Sequence, residues 1–254
     1  MPRTLLNIET ADGTCPASVF TPGRGRGPWP AILFFMDGLG VRPALWEMGQ
    51  RLADQGYVVL LPDLYYRHGP YPPRNAAQVA VDAEQRAEVL SWLNALDRDQ
   101  KLTDGAALVA ALSARADVAG ERYGAVGYFM GGNVALTVAG AMPGRFAAVA
   151  SFHGGDLATD DPGSPHNRVG SIGGRIYVAS ATDDTHFSID QRARLEQALA
   201  DAGADYRIET FEGVRHGFPI PDLTTYDAEG AERHWARVSS LFGEAFEPNG
   251  AGGP

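Results

Sequence analysis

The sequence predicts an α/β fold, a mostly parallel, doubly wound sheet with helices on both faces. Three observations predict it. Short apolar runs alternate with segments of helical spacing through most of the chain, as successive strand–helix–strand units require. The runs at 31–36 and 57–61 are continuously apolar rather than alternating, as in strands covered on both sides. The glycine-rich segment 123–133, YGAVGYFMGGN, turns a strand into a helix within a few residues.

The elements follow in order. Residues 5–9 and 15–21 flank Ala11-Asp12-Gly13, a turn signal, and read as an antiparallel hairpin. After a Gly/Pro-rich loop comes the strand 31–36. Residues 44–55 have helical spacing, and Gly56 stands where a left-handed C-cap is wanted. The strand at 57–61 is closed by Pro62. Residues 65–74 mix aromatics with proline and glycine and read as a shaped surface loop. Helices are expected at 76–96 and 103–114. The alternation then resumes with strand 123–127, helix 131–141, strands 147–152 and 175–179, helix 189–202, strand 205–211 and helix 228–246. No repeat or compositional shift marks a second domain. Residues 1–246 are expected to form one domain, and 247–254 a frayed tail.

Composition narrows the function. A chain of 254 residues can bury a sizeable core without a disulfide or metal staple. Its 31 acidic against 21 basic residues, net charge −10, argue against nucleic acid and anionic membranes as partners. Cys15 is the only cysteine, which excludes an internal disulfide and a cysteine-based metal site, and it reads as a small buried hydrophobe. The histidines lack metal-ligand spacing, so neither metal nor cofactor is expected. Residues 1–13 have no apolar core of signal-peptide length and no run is long enough to span a bilayer, so the cytoplasm is the expected location. The oligomeric state stays open.

The chemistry concentrates at three places. In the α/β-hydrolase fold, the turn G-x-(Ser/Cys)-x-G after a strand is the nucleophile elbow, which holds its central residue in strained φ/ψ among small neighbours. GYFMG at 127–131 fits that spacing with Phe129 at the centre, and phenylalanine has no lone pair with which to attack a carbonyl. The fold then demands an acid and a histidine, in that order. Asp183 and Asp184 follow the strand 175–179, and His216 follows the strand 205–211. A histidine so placed, oriented by an upstream aspartate that stabilises its charged form, makes a general base.

These motifs resemble the dienelactone hydrolase family over nearly the whole chain, about residues 5–246. GYFMGG at 127–132 is similar to that family's G-Y-C-x-G-G, with Phe129 at the cysteine. Asp184-Thr-His-Phe-Ser resembles its D-x-x-Φ-P (Φ apolar), which favours Asp184 over Asp183, and RHGF at 215–218 resembles G-H-x-F. MDGLGV at 36–41 places Asp37 where the family has a glutamate that interacts with the resting cysteine. PDLYYR at 62–67 resembles P-D-L-Y-x-R, and Arg86 is similar to an arginine that binds the substrate carboxylate. The family pattern puts the oxyanion-hole donors at the backbone N–H groups of Gly38 and Met130, which a change at 129 need not abolish. Tyr66 and Arg67, in the 65–74 loop, are candidate pocket residues, as is His153 at a strand end.

Three function classes stay open. One is an enzyme acting on a small-molecule ester, lactone or related carbonyl compound, or a lyase or isomerase, with Asp184–His216 as general base. Another is an inactive homologue retained as a binding or regulatory module. The third is an ordinary dienelactone-type hydrolase carrying a nucleophile substitution. In each, Asp37 is expected to point into the pocket beside His216.

Overall fold

In a computed structural model, residues 3–182 and 184–247 are described. Asp183 and most of the expected C-terminal tail lie outside these residues.

Eight strands form one sheet, β1 (Thr4–Thr10), β2 (Gly13–Phe20), β3 (Ala31–Phe35), β4 (Val58–Pro62), β5 (Tyr123–Tyr128), β6 (Phe146–Phe152), β7 (Arg175–Ala181) and β8 (Tyr206–Phe211). Their spatial order is β1-β2-β4-β3-β5-β6-β7-β8. The hairpin is antiparallel, as is its junction with β4, and every pairing from β4 to β8 is parallel. This is the α/β-hydrolase fold that the alternation predicts. The four central strands β3, β4, β5 and β6 are buried at every residue, which explains their unbroken apolar runs.

The helices are α1 (Pro43–Asp54), α2 (Ala76–Val81), α3 (Ala83–Ala95), α4 (Arg98–Ser113), α5 (Met130–Ala141), α6 (Ile189–Asp201) and α7 (Ala228–Phe246). Local chemistry sets their ends. Pro43 opens α1. Asp227 caps α7 by accepting from the Gly230 N–H. Successive strand residues face opposite ways. A side chain at Gly124 would meet Phe242 of α7, whereas one at Gly127 would meet Gly131 of α5, so these helices cover opposite faces.

Two helix boundaries depart from expectation. The segment 76–96 is not one helix, because Asp82 is extended (φ −89°, ψ 112°) and its carboxylate caps α3 through the N–H groups of Glu84 and Gln85. Helix α4 starts at Arg98, well before residue 103, because Asp97 and Gln100 form a capping box. Among the described residues no helix is long and apolar enough to cross a membrane.

Candidate active site

The site is built where β5 turns into α5. Phe129, between them, has φ 52° and ψ −113°, a backbone conformation that costs a non-glycine residue about 1–3 kcal/mol. Close packing imposes it. A Cβ at Gly127 would stand 1.9 Å from the Gly131 oxygen, and one at Gly131 2.4 Å from the oxygens of Met36 and Phe35. At Gly132 it would stand 2.2 Å from Ser151 Oγ. The three glycines therefore let the turn close against β3 and β6.

The Phe129 ring is half-buried. It makes edge contacts with the imidazoles of His216 and His186, each at 4.8 Å between centroids. It also lies against Gly38 and Gly155, where an added Cβ would come within 3.2 Å and 2.8 Å of ring carbons. The backbone N–H groups of Gly38 and Met130 donate to no protein acceptor among the described residues. Met130 is the first residue of α5, so its N–H adds to the positive end of that helix. Tyr65 donates its buried hydroxyl to the Gly38 carbonyl at 2.9 Å, holding that segment in place.

Asp184 and His216 meet as the chain order requires. His216 Nδ1 lies 3.0 Å from both carboxylate oxygens of Asp184. Asp184 is buried in the loop that follows β7, and one oxygen also accepts the His186 N–H at 3.0 Å. The pair fixes Nδ1 as the protonated nitrogen and leaves Nε2 for chemistry.

Two further histidines complete the cluster. His153 is 1 % exposed, with φ 40°, its ring 4.7 Å from that of His216 and both of its nitrogens without a partner. Burial, then the neighbouring His216, holds it well below the ordinary imidazole pKa, so it is neutral. His186 stands 4.6 Å from His216, and burial and that neighbour lower its pKa too. His186 is not singled out by the sequence; its one signal is its place two residues after Asp184.

Four candidate residues stand elsewhere. Asp37 does not neighbour His216. Its carboxylate is held by the wholly buried Arg42, Nη1 at 2.7 Å and Nη2 at 2.8 Å, and accepts the Leu39 N–H. Arg42 also reaches Asp222, in the loop after His216, with Nε at 2.7 Å and Nη2 at 2.9 Å. An arginine just before a helix gave no sign of this clamp, because its second partner lies 180 residues away. Arg86 is exposed on α3 and donates to the Ala80 carbonyl, outside the cleft beside the elbow. Tyr66 and Arg67 are committed to the buried Asp104, through the tyrosine hydroxyl at 2.9 Å and two guanidinium contacts at 2.8 Å. They answer a buried charge on α4 rather than line the elbow cleft.

That cleft, about 420 Å³, runs from Phe129, Met130 and Asn133 to Lys101, Asp156 and Ser164. Phe129 is the residue shared by the cleft and the histidine cluster. Cys15 is buried in the sheet, its thiol pushed up to about 12 mainly by burial, and is no substitute nucleophile. Among the described residues no group of three or more His, Cys, Asp or Glu is arranged to hold a metal ion.

A protein of Synechocystis sp. is 27% identical to this chain over 226 residues, covering 85% of this chain and 86% of that one. A carboxymethylenebutenolidase of Pseudomonas sp. (strain P51) is 35% identical over 141 residues, 53% of this chain and 54% of that one. Among solved structures, a dienelactone hydrolase-like promiscuous phosphotriesterase from metagenomic libraries superposes with a TM-score of 0.74 at 23% identity, covering 96% of this chain and 99% of that one. The family model described as the dienelactone hydrolase family matches residues 15–246, and the chain belongs to that family.

Proposed function

We propose that the chain hydrolyses a small ester, lactone or related carbonyl compound, using Asp184–His216 as a general base and a backbone oxyanion hole, with Phe129 at the nucleophile position. Family membership makes a hydrolase the starting class, and the observation that carries the finer reading is His216 Nδ1 at 3.0 Å from both Asp184 oxygens. His216 Nε2 takes a proton from water as the water oxygen bonds to the carbonyl carbon. The carbonyl electrons move to oxygen, where the N–H groups of Gly38 and Met130 receive the charge. Collapse breaks the bond to the leaving oxygen, which takes the proton back from His216. Asp184 stabilises the transient imidazolium and keeps its tautomer fixed. Phe129 cannot form an acyl-enzyme, so water attacks directly.

The test is hydrolysis of a panel of lactones and activated esters by the wild type, His216→Ala and Asp184→Asn. Loss of the base should cost about 10²–10⁴-fold in kcat, and rapid mixing should give no burst of leaving group. Turnover indifferent to His216→Ala refutes the mechanism. One observation favours a second reading, a binding module without turnover: the Phe129 ring lies against Gly38 and Gly155, on the ground a substrate carbonyl would need. Ligand binding detected by calorimetry, with no turnover across the panel, decides for it.

A further inference from the structure

Lys101 is the one lysine in the chain; the other 20 of its 21 cationic side chains are arginine. It lies in the first turn of α4 and lines the elbow cleft with Phe129 and Met130. Its Nζ donates to Asn133 Oδ1 at 3.1 Å. The Asn133 amide cannot turn away, because its Nδ2 donates to the Asp156 carbonyl at 2.9 Å. Among the described residues no carboxylate oxygen lies within 4.0 Å of Nζ, so this half-buried amine has an amide partner and no ion-pair partner.

We propose that Lys101 is a covalent binding site in the elbow cleft, where its amine captures a small polar aldehyde or ketone as an imine. The Nζ lone pair bonds to the carbonyl carbon while the carbonyl electrons go to oxygen. One nitrogen proton passes to that oxygen, giving a carbinolamine. Loss of the hydroxyl with a second nitrogen proton releases water and leaves the C=N bond, with no oxidant or reductant required. The charges around the amine are Asp97, Arg98, Asp156 and Asp161. The three carboxylates favour the ammonium, yet burial is the largest effect and holds the amine below the ordinary lysine pKa. The positive end of α4 acts in the same direction as burial. The lining, three carboxylates against Arg98 and Lys101, disfavours an anion and suits a neutral, hydroxyl-bearing carbonyl compound. The inference does not depend on Asp184–His216.

The experiment is reductive trapping of the whole chain at pH 7 with glycolaldehyde and cyanoborohydride, with adducts located by peptide mass mapping. The only other primary amine is the chain's α-amine, which serves as internal standard. An ordinary lysine titrates more than two pH units above an α-amine and is labelled on the order of 100-fold more slowly by its neutral fraction. In the folded chain Lys101 is expected to label faster, relative to the α-amine, than it does in urea, where it should fall behind by about that factor. Lys101→Arg should remove every adduct but the α-amine's, Asn133→Leu should slow trapping, and His216→Ala should leave it intact. Labelling of folded Lys101 that trails the α-amine by about 100-fold, or that unfolding does not slow, overturns the proposal.

Discussion

Replacing Phe129 by cysteine keeps the elbow backbone and changes only what it presents. The strained φ of 52° is enforced by Gly127, Gly131 and Gly132, so either residue bears a similar backbone cost. The ring is half-buried against Gly38, Gly155, His186 and His216, and losing it is expected to cost about 1–3 kcal/mol, less than truncating a fully buried phenylalanine. For a chain of this size that is a fall in Tm of roughly 2–12 °C. The gain is a thiol at the positive end of α5, on the side-chain path that now leads to within 4.8 Å of the His216 ring. Such surroundings hold a cysteine at a pKa of about 3.5–7.5 rather than about 8.5, so iodoacetamide at pH 6 should react at least 10-fold faster than with a free cysteine. The background is clean, because Cys15 is buried with its thiol pushed up to about 12. The same protein should hydrolyse small activated esters faster than wild type, with a burst of leaving group. A folded Phe129→Cys variant whose thiol alkylates no faster than free cysteine, and which hydrolyses no ester or lactone above wild type, refutes the reasoning.

Other expectations follow from the surrounding packing. Arg42→Met leaves the buried Asp37 without its cation and should destabilise the chain by about 3–5 kcal/mol at pH 7 in urea titrations; adding Asp37→Asn should restore part of it. Burial holds His234 at about 3 and His153 well below 6.5, so the unfolded chain binds protons that the folded one refuses. Stability should therefore be full above pH 6.5 and fall below it by about 1.4 kcal/mol per pH unit for each imidazole, down to about pH 3 for His234. His234→Gln should flatten that slope in denaturation curves measured from pH 7 to 4. Gly127→Ala would set a Cβ 1.9 Å from the Gly131 oxygen and should abolish folding or cost more than about 3 kcal/mol, whereas Gly243→Ala, an open helical site, should raise stability by about 0.5–1 kcal/mol in the same assay.

The fold was legible because its signal is local and redundant. Runs such as AILFF at β3 and VVLLP at β4 announce buried strands, and the last helix was read at its observed bounds, Ala228–Phe246. Where bounds slipped, a single cap decided them, as Asp82 did between α2 and α3. The Asp184–His216 pair was legible for a different reason, since the fold fixes which strand ends meet and in which order. Asp37, Arg86, Tyr66 and Arg67 were not: Arg86 turns to the nearby Ala80 carbonyl on the surface, and the other three are taken by buried charges. Asp37 is taken by Arg42, and Tyr66 and Arg67 by Asp104, whose burial on α4 no local pattern announces. Lys101 did leave a trace in composition, as the one lysine in the chain.

The Arg42 clamp bears on how Phe129 can stand where it does. A carboxylate that partners a resting thiol must be free to approach it, and Asp37 is not: both of its oxygens face the guanidinium and one also accepts the Leu39 N–H. The same guanidinium grips Asp222, so it ties the segment carrying Gly38 to the loop carrying His216. The segments carrying Gly38 and His216 are thereby held together by one buried guanidinium shared between two carboxylates. Buried pairs of this kind are poor sources of net stability but exacting about geometry, since either partner left alone in the interior is costly. The elbow glycines set the backbone at 129 by steric exclusion, the clamp sets the distance between the two loops, and neither depends on which side chain residue 129 carries. A phenylalanine can therefore occupy the turn while the Asp184–His216 pair and the N–H groups of Gly38 and Met130 keep their places.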